Sequence, residues 1–405
     1  MKIGLLSLSS ELHNQEYLDQ TLKDFIPSIE AKLYRRMESV GIEVFNSKEY
    51  LPIIFIRTGG VEEKFKALFP KMKGPFLLLS SPKHNSLAAS LEIATFLRQK
   101  GEKVDIILGD SDYIASKIEE IDKIFEVKSK LSSTKLGVIG RPSDWLISSA
   151  VDYKKTKENL GISLIDIEIE ELFKEMERDH NFINSKVKLV KDKSSNYESI
   201  QGAGKIYNGL KSLVNKFGLS GLTIRCFELL KIYKNTACLG LAWLNEEGII
   251  AGCEGDVPAL LSMVILNYLT GEPVFMANPS YLDIQKNTVT LAHCTLPLNM
   301  ADQFFLTTHF ESALGVGVKG IIGEGKGTLF KLSSDGERYF LSSGEIVENL
   351  NLPDLCRTQI KFRLKEGVEY FLKNSLGNHH LLCKGDYSKL VIDFFTWSGL
   401  NTQRI

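Results

Sequence analysis

Four largely apolar runs, at 3–6, 52–56, 76–79 and 104–108, are separated by segments of helical period at 15–39, 62–69 and 86–99. A strand that is apolar on both sides has to be covered on both sides. That alternation therefore predicts a parallel sheet with helices above and below it. We read residues 1–131 as a doubly wound, Rossmann-like α/β domain. Ligands of such sheets collect at the carboxyl ends of the strands, which here are the turns at Gly59-Gly60 and Ser80-Ser81. Neither turn carries the three-glycine dinucleotide fingerprint, so no nucleotide is expected there.

The polar segment 128–135, KSKLSSTK, reads as a domain boundary. A second Rossmann-like α/β domain, residues 132–296, opens with a strand at 136–139 and the turn Gly140-Arg141-Pro142-Ser143-Asp144-Trp145. Ser143 or Asp144 is placed to cap the next helix. Trp145 either accompanies that cap or lies at the mouth of a pocket, where an aromatic face suits the C–H face of a sugar. Strand-like runs at 222–227 and 236–243 lead to the turn Cys253-Glu254-Gly255-Asp256, an apolar helix at 257–269 and strands at 274–276 and 289–293.

After Pro297 helical periodicity fades. Runs at 304–308, 316–322, 328–332 and 338–341 read as strands broken by glycines. Residues 297–405 are thus expected as a mainly antiparallel, β-barrel-like C-terminal domain that closes with a helix at 386–395. Gly315, Gly317 and Gly320 match a dinucleotide motif, and 320–326 comes close to a P-loop. Both lie among strands instead of at a strand-to-helix turn, and hairpin geometry explains them.

Charge narrows the function classes. Lys+Arg 49 against Asp+Glu 50 gives a net charge of -1 without a concentrated basic block, which argues against nucleic acid and anionic membrane as partners. The N-terminus turns polar by Ser7, and no apolar run is long enough to span a bilayer. A cytoplasmic protein with a small, weakly charged partner is expected. The six cysteines show no CxxC pairing and no zinc-type spacing, so reduced thiols in the core are expected. Cys253 and Cys294 adjoin candidate site residues, where oxidation would affect activity.

Those candidates are an acid, an amide and histidines. Asp256 precedes Val257-Pro258 and a helix and so reads as an N-cap. Glu254 has no such employment; it is either a solvated turn residue or a ligand. His293 shares strand phase with Val289 and Leu291 and points to a buried face, as a hydrogen-bonded core residue or a ligand. His379 and His380 follow Gly377-Asn378 and are expected to be accessible. Carboxylates with imidazoles and no thiolate pair describe an oxygen-rich site for Mn²⁺ or Mg²⁺ better than structural zinc. Such an ion can hold two adjacent oxygens of a sugar while a carboxylate moves a proton between neighbouring carbons, which is aldose–ketose isomerisation.

The motifs Cys253-Glu254-Gly255-Asp256, Val274-Phe275-Met276-Ala277-Asn278, Leu291-Ala292-His293-Cys294 and Gly377-Asn378-His379-His380 together resemble the L-fucose isomerase and L-arabinose isomerase superfamily. The short fucose-isomerase-like proteins are the nearest in pattern. The segments at 140–147, 224–227 and 308–312 carry the same likeness. The resemblance implies two Rossmann-like domains and a β-barrel-like C-terminal domain, a homo-oligomer, a monosaccharide substrate and a divalent metal, commonly Mn²⁺, with Mg²⁺ or Co²⁺ as alternatives. By motif, Glu254 matches the metal-binding, proton-transferring glutamate and His379 the late histidine ligand. His293 matches the histidine contributed in arabinose isomerases.

One position departs. The family's second carboxylate falls where this chain has Ala277-Asn278, and Asn278 can bind a metal through its carbonyl oxygen but cannot act as a base. Asp256 or Asp283 then substitutes, or Glu254 works with a metal-bound water, or the chain is a sugar-binding relative without catalysis. A structural or interaction protein with no metal is the remaining class. We expect Glu254 and Asn278 as catalytic groups, Glu254, Asn278, His293 and His379 as metal ligands, and Trp145, Asp256, His309, Glu311 and His380 around the sugar.

Overall fold

The computed structural model describes residues 1–47, 49–178 and 197–405. The chain divides into two units, Met1–Ser129 with Ile392–Leu400, and Lys130–Val391 with Asn401–Ile405. In the first unit, strands β1 (Lys2–Leu8), β2 (Met37–Ser39), β3 (Tyr50–Ile56), β4 (Phe76–Ser80) and β5 (Val104–Ile107) form an all-parallel sheet in the order β2-β1-β3-β4-β5. All but the first residue of β3 and all of β4 are buried, as covered central strands require. The segment 15–39 is not one helix. It breaks into Gln15–Leu22, Phe25–Leu33 and β2, because Pro27 is tolerated only in a first helical turn and forces a new start beside it. The segment 128–135 holds the division between the two units, which falls between Ser129 and Lys130. Its first part ends the helix Ser111–Ser133, whose Ile114, Ile118, Ile121, Ile124, Val127 and Leu131 form one continuous buried stripe.

The second unit contains a parallel sheet and a closed barrel. Strands β6 (Lys135–Ile139), β7 (Ser163–Ile167), β8 (Gly221–Ile224) and β9 (Ile250–Gly252) run parallel in the order β7-β6-β8-β9. Two expected strands need correction. The run 222–227 ends as a strand at Ile224 and passes into the helix Cys226–Tyr233, and 236–243 lies mostly in the helix Cys238–Glu246. Residues Cys238 to Leu244 of that helix are all buried, so it lacks the polar face that would have announced a helical period.

Strands β10 (Phe275–Asp283), β11 (Thr288–His293), β14 (Gly325–Leu332), β15 (Arg338–Asn349), β16 (Thr358–Leu364) and β17 (His380–Lys384) pair antiparallel in the order β14-β17-β10-β11-β16-β15. Pairing of β14 with β15 closes this six-stranded barrel. A hairpin of β12 (Gln303–Thr307) and β13 (Gly317–Ile321) stands beside it, and β18 (Gln403–Arg404) adds parallel to β15. Thus β10 and β11 belong to the barrel and not to the parallel sheet that precedes them in sequence. The helix Val257–Thr270 packs against β8 and β9 on one side and β14 and β17 on the other. Its apolar character all round follows from that position, and each fully buried leucine there contributes roughly 1.5–3 kcal/mol.

Candidate active site

Glu254 lies in the turn that leaves β9, two residues past the strand's end at the carboxyl edge of the parallel sheet, where open α/β sheets bind ligands. Its φ is +59° and that of Gly255 is +61°, so the turn holds a glutamate in the left-handed region that such residues rarely occupy. The conformation is held from several sides. The Ser143 hydroxyl donates to the Glu254 carbonyl, the Gly255 amide donates to the Ile224 carbonyl at 2.8 Å, and the Thr223 hydroxyl donates to the Cys253 carbonyl at 3.2 Å. A β-carbon on Gly255 would come within 2.9 Å of the Ser143 hydroxyl, so glycine is required there for space as well as for φ. Ser143 and Asp144 cap no helix; the next helix, Tyr153–Leu160, is capped by Asp152.

Three barrel strands deliver the other groups. In β10, Asn278 registers against Ala292 of β11, the neighbour of His293, and Ala277 registers against His380 of β17, the neighbour of His379. Two residues adjacent in β10 thereby bring the two histidines together, with ring centroids 5.4 Å apart. Nε2 of His293 and Nε2 of His379 each lie 3.5 Å from Oε1 of Glu254. One ligand atom from each of these three residues falls within 4.8 Å of the others.

The outer nitrogens are held in turn. His379 Nδ1–H donates to Asp256 Oδ2 at 2.8 Å, which leaves Nε2 as the nitrogen that faces Glu254. His293 Nδ1 pairs with the Thr295 hydroxyl at 2.9 Å. Asp256 performs two tasks, since its Oδ1 also accepts from the Ala259 amide at 2.8 Å as the N-cap of the helix Val257–Thr270. Lys331, fully buried in β14, places Nζ 3.9 Å from Asp256 Oδ2.

Burial raises the cost of every charge here, yet the set is mutually compensating. Burial opposes ionisation of Glu254, but the two histidines hold its carboxyl well below the usual carboxylate range. Asp256 is likewise held down to about 2, against burial, by Lys331 and His379. Burial lowers His293, whereas the two carboxylates outweigh burial at His379 and raise it to about 9. Burial is also what lowers Lys331 and raises Glu311.

Glu254 and His293 line a small cavity of about 40 Å³ together with Asn278, His309 and Glu311. His309 Nδ1 pairs with the Ser312 hydroxyl at 3.1 Å. Among the described residues, Asn278 Oδ1, His293 Nε2 and His379 Nε2 are buried without a hydrogen-bond partner. Buried polar atoms are nearly always satisfied, so three that converge beside an ionised glutamate describe donors disposed toward a cation.

Several expected positions differ. His379 and His380 are fully buried, contrary to the accessibility expected of a turn, because β17 begins at His380 and inserts both into the barrel wall. His380 is outside the cavity, paired with the Tyr370 hydroxyl and the Asn378 carbonyl, each at 2.9 Å, and edge-on to Phe371. Trp145 is 42% exposed and stacks edge-on with Phe227, a wall residue of the cavity that it does not itself line. Asp283 accepts from the Lys286 amide in the β10–β11 turn and takes no part in the site. Lys331 was not foreseen; its only signal is a lysine within an apolar strand, Leu329-Phe330-Lys331-Leu332. Five of the six cysteines line the cavity wall, which their scattered spacing hides.

No protein-family model matches the chain. Three curated relatives are each named sulfoquinovose isomerase. The protein from Clostridium sp. (strain MSTE9) is 28% identical over 224 residues, 52% of this chain and 49% of its own length. That from Priestia aryabhattai is 23% identical over 336 residues, 79% of this chain and 75% of its own length. That from Alkalicoccus urumqiensis is 22% identical over 332 residues, covering 76% and 73%. The chain is related to sugar isomerases. It aligns with about half of the first relative and about three quarters of the other two.

Proposed function

We propose that this chain is a metal-dependent aldose–ketose isomerase acting on an uncharged monosaccharide, of the L-fucose/L-arabinose isomerase type. The observation that carries the reading is the convergence of Glu254, His293 and His379 on one point, with Glu254 and His293 lining one cavity with Asn278. The names of the relatives support the reaction class.

Glu254, His293, His379 and the Asn278 carbonyl oxygen would hold the cation, Mn²⁺ or a related divalent ion. A cation held there supplies Lewis-acid polarisation of two adjacent sugar oxygens. Ionised Glu254 takes the proton from the aldose carbon bearing the 2-hydroxyl, exchanges it in part with solvent while the enediol lasts, and delivers a proton to the carbonyl carbon. The hydroxyl proton passes from one oxygen to the other, with Glu311 and His309 as the further titratable groups that line the cavity. Asp256 fixes the His379 ring and its tautomer.

Charge selects the substrate class. A sulfonated sugar needs a cationic partner, and among the described residues the cavity wall has two glutamates and no lysine or arginine. The flanking arginines are engaged elsewhere, Arg225 by Asp144 at 2.7 Å and Arg357 by the Thr308 carbonyl at 2.8 Å. A second reading, a sugar-binding protein without catalysis, is favoured by Asn278 standing where the resembled family has a carboxylate.

The test is ketose formation from a panel of neutral aldoses and sulfoquinovose, with added Mn²⁺, Mg²⁺ or Co²⁺. Turnover of a neutral aldose that requires the metal supports the proposal. Turnover of sulfoquinovose alone would overturn the substrate assignment. Sugar binding without any turnover would favour the second reading.

A further inference from the structure

We infer that Cys226 and Cys253 form a reversible disulfide that governs the site. Their Sγ atoms lie 3.2 Å apart, about 1.2 Å beyond a disulfide bond. The backbone explains the approach. Thr223 of β8 registers against Gly252 of β9, so the residues that follow these parallel strands leave the sheet side by side. Cys253 continues from β9, and Cys226 opens the helix Cys226–Tyr233.

Both thiols line the cavity and meet whatever enters it. Cys226 is partly exposed, whereas Cys253 is buried at 2%. Cys226 therefore meets the oxidant first. With a hydroperoxide as oxidant, the Cys226 thiol is oxidised to a sulfenic acid as the O–O bond breaks and the reduced oxygen leaves as water or an alcohol. The Cys253 sulfur then attacks the sulfenic sulfur, the S–S bond forms, and the second oxygen leaves as water. Two thiols lose two hydrogens in all, and one peroxide is reduced.

The consequence falls on Glu254, the next residue after Cys253. Its strained turn is held by hydrogen bonds from Ser143 and Thr223, and drawing Cys253 toward the helix pulls against them. Oxidation is thus expected to displace the carboxylate from the two imidazoles. A thiolate metal centre is the rival use of these sulfurs. Among the described residues, no three thiols come as close together as the Glu254, His293 and His379 ligand atoms do.

The experiment treats the full chain with hydrogen peroxide and maps thiols by mass spectrometry after blocking and digestion, with no need for turnover. A crosslink between the Cys226 and Cys253 peptides, about 2 Da lighter than the two thiols and reversed by dithiothreitol, is expected. Mn²⁺ affinity, measured by calorimetry on the same sample, should fall at least tenfold and recover on reduction. In Cys226→Ser the crosslink should vanish while its circular dichroism remains that of the parent. Two free thiols after oxidation, overoxidation of Cys226 with Cys253 still free, or an unchanged Mn²⁺ affinity in the crosslinked protein would each overturn the inference. Stoichiometric Zn²⁺ held by these thiols and blocking their oxidation would also do so. The crosslink result stands whether or not the chain turns over a sugar, so failure here and failure of the isomerase reading are distinguishable.

Discussion

Asp256 Oδ2 accepts from His379 Nδ1 at 2.8 Å across a separation of 123 residues, while Asp256 Oδ1 caps the helix that begins beside it. One carboxylate thus fixes the start of the central helix of its unit and the tautomer of a site histidine. Asp256→Asn keeps an oxygen for the Ala259 amide but turns an N–H toward His379, which forces the other tautomer. We expect Mn²⁺ affinity, measured by calorimetry, to fall about 10–100-fold, and the melting temperature to fall as well, because buried Lys331 loses its counter-charge. Asp256→Ala should lose both, including about 1 kcal/mol of capping.

Lys331 compensates Asp256 from the barrel side. Lys331→Ala leaves a buried carboxylate short of positive charge, and a cost of about 3–5 kcal/mol is expected in urea unfolding. Lys331 and Asp256 replaced together by apolar residues should cost less than the sum of the single changes, because the coupling is then removed as a pair.

Asn278 is the position at which carboxylate chemistry can be restored. Asn278→Asp places a second negative charge beside Glu254. In the metal-free protein the melting temperature should fall, since like charges share a buried site. Mn²⁺ affinity should rise, about tenfold or more, through a charged ligand in place of a neutral one. Asn278→Leu should lower affinity without that gain.

His380 gives a pH dependence of stability. Burial first, and then the Lys331 ammonium, push its imidazole down to about 3. The folded state binds this proton less readily than the unfolded chain, whose histidine titrates near 6.5. The neutral ring's contribution is therefore complete above about pH 6.5 and is lost as pH falls toward about 3. Unfolding midpoints measured from pH 7 to pH 4 should fall in the parent and fall less steeply in His380→Gln.

What the residues disclosed depended on whether the signal was local. The N-cap at Asp256, the apolar helix after it and the glycine-punctuated barrel strands are written in contiguous residues, and the structure has them. Glu254, Asn278 and His293 could be singled out because each departs from its immediate surroundings. Their convergence with His379 depends on the pairing of β10 with β11 and β17, which no local pattern encodes. His380 illustrates the same limit, since a turn beside a glycine resembles surface until β17 draws it into the wall. The helix Cys238–Glu246 reads as a strand because burial on all sides erases its period. Lys331 and the cysteine cluster are visible only once the barrel is closed.

In the proposed reaction Glu254 carries a proton between two sugar carbons at a site where His293 and His379 would hold a cation. The most direct test is solvent deuterium exchange at the carbon next to the carbonyl, followed by NMR in D₂O with Mn²⁺ and whichever neutral aldose the protein accepts. Ketose formation with deuterium incorporation is expected in the parent, and neither in Glu254→Gln, which should still bind the sugar. Exchange and turnover that persist in Glu254→Gln, or ketose formed with no deuterium at all, would contradict the proposed reaction.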